Sequence, residues 1–178
     1  MTTPGAWQSD FTEGLLIDYR HFDSKNIIPL YEFGFGLSYT TFGLADFSVT
    51  TLVKNLASTP DISRRIAPGG NPDLFTPIIQ ASVAVSNTGS LAGATVAQLY
   101  ISMPDSAPSG TPVKVLRGFE KVYLEPGETK AVDFELMRRD VSYWDVLEQT
   151  WKIPKGDFKF AVGFSSRDLK ATRVEALL

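Results

Sequence analysis

The sequence predicts a mainly β chain, a β-sandwich of about seven strands over residues 43–178, preceded by a short segment of different character over residues 1–42. Three observations carry this. Runs of alternating or continuous apolar residues recur, separated by Gly, Pro and Asn turn signals. Charge is uneven: residues 1–42 hold two basic side chains (Arg20, Lys25) against five acidic ones (Asp10, Glu13, Asp18, Asp23, Glu32), while the remaining 136 residues hold 15 of each sign, so the net charge of -3 belongs to the first segment. That segment also carries nine of the 21 aromatic residues.

The strands follow in order. One is expected near residues 42–52. Ile79, Ala81, Val83 and Val85 then alternate along one face, and Asn87-Thr88-Gly89-Ser90 marks a turn. Residues 96–102 are almost continuously apolar, as a strand buried on both faces would be. Residues 116–124 form the next run. Glu125-Pro126-Gly127-Glu128 places Pro and Gly at the centre of a type II turn, where Pro presets φ and Gly supplies the positive φ. Val132, Phe134 and Leu136 alternate with Asp133 and Glu135, a half-buried strand with one wet face. After a turn at Pro154-Lys155-Gly156-Asp157, Phe158, Phe160, Val162 and Phe164 share a face. Thr172, Val174 and Ala176 suggest a closing strand. Seven such strands suggest an immunoglobulin or fibronectin type III kind of sandwich, and the absence of cysteine favours the latter.

Two stretches interrupt the pattern. Residues 55–77 carry four prolines and Gly69-Gly70, a long irregular loop. Residues 104–112 form a shorter Pro/Gly/Ser insert. Residues 1–42 stand apart: Gly14-Leu15-Leu16-Ile17 reads as a short buried strand, and so short a segment cannot bury its own aromatic side chains. It needs a partner, from the sandwich or from protein outside the chain, and poor packing of this segment is expected.

Composition narrows the chemistry. At 178 residues the chain suits one ordinary domain that buries roughly 70% of its unfolded surface. Zero cysteines exclude disulfides, thiolate metal sites and Cys nucleophiles. A single histidine, His21, makes a His-based metal site or a Ser-His-Asp triad a poor expectation. No basic patch points to nucleic acid, and no apolar run spans a membrane. The N-terminus has neither the basic nor the apolar region of a secretory signal peptide.

Several motifs admit a chemical reading beside a structural one. Gly34-Phe35-Gly36-Leu37-Ser38-Tyr39 begins like a dinucleotide fingerprint but lacks the third glycine and a following helix, so glycine that permits close approach of crowded aromatics is the better account. His21 can be functional with Asp18 or Asp23, or a hydrogen-bonded structural residue. Asp10, Glu13, Asp18 and Asp23 can include a carboxylate pair for acid–base work on a sugar, or form a solvated acidic face. Tyr143, Trp144 and Trp151 can make a platform for polysaccharide or lignin, or plug one end of the sandwich. Glu120, Lys121, Arg138 and Arg139 read as surface charges.

Longer strings carry a resemblance. Phe11-Thr12-Glu13-Gly14-Leu15-Leu16-Ile17-Asp18-Tyr19-Arg20-His21-Phe22-Asp23 and Tyr31-Glu32-Phe33-Gly34-Phe35-Gly36-Leu37-Ser38-Tyr39-Thr40 resemble fungal β-glucosidases of glycoside hydrolase family 3, at the end of their α/β sandwich domain. Val85-Ser86-Asn87-Thr88-Gly89, Gln98-Leu99-Tyr100-Ile101-Ser102, Leu116-Arg117-Gly118-Phe119, Pro126-Gly127-Glu128-Thr129 and Val162-Gly163-Phe164-Ser165-Ser166 resemble the fibronectin type III-like domain that ends those enzymes. The Gly69-Gly70-Asn71-Pro72-Asp73 segment is similar to the fungal group.

The resemblance implies a remnant of the α/β sandwich domain and linker at 1–42 and a fibronectin type III-like domain at 43–178. It implies a longer, retaining, commonly secreted parent that hydrolyses terminal β-glucosyl units with two carboxylates. The catalytic Asp and Glu of the family lie upstream of any motif present here. The resemblance therefore implies no catalytic residue, metal ligand or cofactor in this chain, and a structural role against the catalytic domains. A free-standing polysaccharide- or lignin-binding module is the alternative.

Overall fold

The computed structural model describes residues 10–178. The reading of the extreme N-terminus, residues 1–9, lies outside the described residues. One short helix, α1 (Tyr19–Ser24), precedes nine strands: β1 (Phe42–Thr51), β2 (Pro77–Asn87), β3 (Gly93–Ser102), β4 (Val115–Leu124), β5 (Thr129–Met137), β6 (Tyr143–Asp145), β7 (Thr150–Lys152), β8 (Asp157–Gly163) and β9 (Leu169–Ala176). Seven of them build two antiparallel sheets, of order β1-β2-β5 and β4-β3-β8-β9. β6 and β7 form a separate hairpin that the sequence pattern, three residues per strand, was too short to reveal.

The core lies between the sheets. From β2, Ile79, Ala81, Val83 and Val85 point inward. They meet Val132, Phe134 and Leu136 of β5, Ala97, Leu99 and Ile101 of β3, and Phe158, Phe160 and Val162 of β8. Period-two alternation is what lets each strand give one face to this layer. Truncating a buried phenylalanine such as Phe160 removes about 3–5 kcal/mol in cores of this kind.

The turns form as their residues dictate. Gly127 takes φ 77°, and Glu128 N donates to Glu125 O at 2.9 Å, closing the type II turn. Asn87 at the end of β2 is buried and fully bonded. Its Nδ2 donates to Leu91 O and Leu124 O (2.8 and 3.0 Å), and its Oδ1 accepts from Gly89 N and Thr40 Oγ1 (3.0 and 2.9 Å). One amide thus joins the β2–β3 turn, the end of β4 and the entry to β1.

Two expectations need correction and one gains a detail. Residues 14–17 are not a buried strand: 12–15 form a turn, with Gly14 N bonded to Phe11 O and Leu16 N to Glu13 O, and Leu15 and Ile17 are exposed. An apolar run becomes a buried strand only beside a partner strand, and among the described residues it has none. The closing strand exists, but Thr172, Val174 and Ala176 face water; Ala171 on the other face packs on the core, with Leu177 just past the strand end. Arg138 is not a surface charge. It is buried and pairs with Asp73 (Nε–Oδ2 3.0 Å), while its Nη1 donates to Ala57 O and Thr59 O (2.7 and 3.3 Å). This pins the base of the long loop, whose tip exposes Ile62 and Ile66. Arg139 is exposed, its guanidinium 5.4 Å from the Phe75 ring centroid.

Replacing Asn87 with Ala orphans several buried backbone groups at once. Urea unfolding of Asn87→Ala is expected to show a loss of about 2–3 kcal/mol, with an unchanged denaturant slope.

Candidate functional site

β3 is buried on its outward face as well, as its continuous apolar character predicts: Gln98 is 4% exposed and Tyr100 is 0% exposed. What covers them is the N-terminal segment. Asp18, at φ 53°, turns the chain into α1, and His21 N bonds back to Asp18 O at 2.9 Å. Tyr19, the buried residue of that helix, stacks on Phe33 (centroids 4.5 Å, 27°) and meets Tyr100 edge-on (6.1 Å, 83°). Its hydroxyl accepts from Leu116 N at 2.8 Å. The sandwich supplies the partner for Tyr19, while most other apolar side chains of the segment, Phe11, Leu15, Ile28, Leu30 and Tyr31 among them, stay exposed, as poor packing of the segment implies.

Gln98 is the polar centre of the seam. Its Nε2 donates to Gly34 O (3.0 Å) and Phe164 O (2.7 Å), and its Oε1 accepts from the Tyr100 hydroxyl (2.7 Å). Burial, with smaller contributions from Tyr19 and Asp23, pushes the Tyr100 phenol well above its ordinary pKa, so it stays a donor. Gly34 has φ 79°, and a Cβ there would overlap the Gln98 amide. The Gly-Phe-Gly string is thus a close-approach device. Around it, Ser166 N donates to Phe33 O (2.9 Å) and Ser165 Oγ to Glu32 Oε1 (2.9 Å). Asp23, its side chain 7% exposed, pairs with Lys114 (2.5 Å) and Arg167 (3.2 Å), and Arg167 Nη2 also donates to Ile27 O (2.7 Å).

The proposed acid–base residues stand in different surroundings. Asp23 is engaged by two cations. Glu13 lies on the rim of a cleft, and Asp18 is exposed. The His21 ring meets Phe22 edge-on at 6.0 Å, and among the described residues its imidazole makes no hydrogen bond. Among the described residues, no group of three or more His, Asp or Glu side chains could hold a metal. No helix among them is long and apolar enough to cross a membrane.

Beside the seam lies a cleft of about 750 Å³. Its walls include Leu15, Arg20, Arg117, Asp140, Trp144 and Trp151. Trp144 and Trp151, on facing strands of the β6–β7 hairpin, pack edge to face (5.8 Å, 70°), a corner rather than a flat platform. Burial pulls the Arg117 pKa below the ordinary arginine value, and Asp140 opposes that shift. This cleft is not legible in the sequence, because its walls come from four separate stretches of chain.

The comparisons with known proteins agree with this geometry. Residues 95–166 match the fibronectin type III-like domain model. The chain is 59% identical over 172 residues to a probable β-glucosidase G of Emericella nidulans, covering 96% of this chain and 21% of that protein. Its fold matches the crystal structure of a β-D-glucoside glucohydrolase from Trichoderma reesei with a TM-score of 0.90 at 45% identity, covering 99% of this chain and 24% of that one. The chain belongs with the C-terminal part of fungal glycoside hydrolase family 3 β-glucosidases. A family 3 β-glucosidase from Neurospora crassa matches with a TM-score of 0.85 at 32% identity, over 96% of this chain and 28% of that one. The chain spans about a fifth of the length of the curated relatives it matches. The family strings converge on the seam: Tyr19 and Gly34 come from the N-terminal ones, and Gln98, Tyr100, Leu116 and Phe164 from the sandwich.

Gly34→Val is expected to leave the core folded but release the seam, speeding amide hydrogen exchange at Leu116 and Ser166 by at least about tenfold. Gly36→Ala, with open space around it, should leave both rates unchanged.

Proposed function

We propose that this chain is the non-catalytic C-terminal region of a β-glucosidase and that its work is structural. Residues 1–42 would be the end of the α/β sandwich domain and its linker, and residues 43–178 the fibronectin type III-like domain. The observation that carries this reading is a row of exposed apolar side chains on a segment whose other side is firmly seated. Ile28, Leu30, Leu37 and Tyr39 are 85, 91, 92 and 98% exposed, and Tyr31 is also exposed. Large apolar side chains exposed this fully within one short stretch mark an interaction face.

The partner face belongs to the catalytic domains of the longer parent, which by its relatives' names is a β-glucosidase. Its reaction would be retaining hydrolysis of terminal β-D-glucosyl residues in cellobiose and cellulose breakdown, outside the cell, with both catalytic carboxylates supplied upstream. Adsorption to polysaccharide or lignin has less support. The two indoles of the hairpin stand at 70° to each other, whereas a crystalline glucan needs coplanar rings.

Two measurements test the reading. The isolated chain should release no more chromophore from an aryl β-glucoside than buffer does. With the chain joined to the upstream region of the Emericella nidulans relative in one polypeptide, Leu30→Asp and Tyr39→Asp should lower the unfolding temperature by several degrees while leaving the isolated chain unaffected. Equal behaviour of the substituted and unsubstituted joined proteins would sink it.

A further inference from the structure

The cleft holds two cations that its own carboxylates, Glu13 and Asp140, do not engage in an ion pair. Arg20 Nε and Arg117 Nε are both buried and without a hydrogen-bond partner. Among the described residues neither guanidinium makes an ion pair. Arg20 lies 5.9 Å from the Tyr19 ring centroid. Asp140 favours the charge on Arg117 without pairing with it, and its Oδ2 accepts from Met137 N at 2.9 Å. The two arginines also repel one another across the cleft. Buried ionised donors are nearly always satisfied in native proteins, so this pair needs an explanation.

The rest of the cleft narrows what that explanation can be. Leu15 and the Trp144–Trp151 corner give it apolar walls, and Leu15 and Trp144 are exposed. A small hydrated anion leaves such walls wet. A protein surface that brings a carboxylate on an apolar base covers both. Guanidinium groups bind carboxylates through paired donors, a geometry that lysine does not offer.

We infer that Arg20 and Arg117 form a socket for an Asp or Glu side chain from the part of the β-glucosidase that precedes this chain in its longer relatives. This rests on the proposed structural role and adds to it a second, charged contact besides the apolar residues at 28–39. The socket also sets register: an apolar face can slide against its partner, while a buried ion pair fixes one alignment.

The isolated chain gives the first test. Acetate serves as a carboxylate probe, compared with chloride at equal ionic strength, with unfolding temperature as readout. Acetate should raise the unfolding temperature of the natural sequence by a few degrees and have no effect on Arg20→Gln/Arg117→Gln. A rise with cellobiose and none with acetate would make the cleft a saccharide site and overturn the inference.

The joined polypeptide gives the second test. Arg117→Gln should leave the isolated chain as stable as before, or more so, because it removes an unpaired buried charge. It should lower the unfolding temperature of the joined protein, and the loss should shrink as salt rises. If Leu30→Asp destabilises the joined protein and Arg117→Gln does not, the docking reading stands and the socket fails. If neither does, both fail. If Arg117→Gln destabilises both forms equally, the arginine acts within this chain alone and the socket again fails.

Discussion

Gln98 is buried on the outward side of its strand, and much of the molecule is arranged to make that tolerable. An amide removed from water needs its donors and acceptor filled within the protein, or it costs several kcal/mol. Here the partners come from three places: the Gly34 carbonyl, the Phe164 carbonyl and the Tyr100 hydroxyl. Only with the N-terminal segment in place is the set complete. The aromatic stack of Tyr19 on Phe33 supplies apolar burial, but the amide selects which backbone sits there. Glycine at position 34 is required because the carbonyl can reach Gln98 only if nothing projects from the α-carbon.

This explains why the seam behaves as part of the sandwich although it is distant in sequence. The Asp23 carboxylate is held between Lys114, just before β4, and Arg167, in the turn between β8 and β9. Helix α1 is too short to be stable alone, and it persists because its side chains are anchored on both flanks. The exposed apolar row that follows is therefore presented from a fixed base, and less ordering entropy is lost when a partner covers it.

How much of this the sequence disclosed depended on how local the physics was. The seven sandwich strands and the Glu125–Glu128 turn were legible because alternation and turn chemistry act over a few residues. The continuous apolar character of residues 96–102 announced two-sided burial, and a glutamine within such a run hinted at a polar contact, though not at its partner. Where the decisive neighbour lay far along the chain, reading failed. Arg138 looked like a surface charge because nothing nearby in sequence pointed to Asp73. Residues 14–17 looked like a strand because an apolar run does not declare whether a neighbouring strand is present. The edge strand β9 was legible as a strand, but its two weakly distinct faces did not declare which one meets the core. The arginine pair was invisible for the same reason: Arg20 and Arg117 become neighbours only after α1 docks.

The Arg138–Asp73 pair has a consequence of another kind. By fixing Ala57, Thr59 and Asp73 to one guanidinium, with Asp61 and Asn71 bonded in turn to Asp73 and to each other, it divides the long connection between β1 and β2 into a rigid foot and a short arc over residues 62–70. Closure entropy rises only slowly with loop length, so the arc can be lengthened or replaced while the foot absorbs none of the change. The connection is thereby a natural port, where an epitope or a fluorophore can be carried without the sandwich registering its presence.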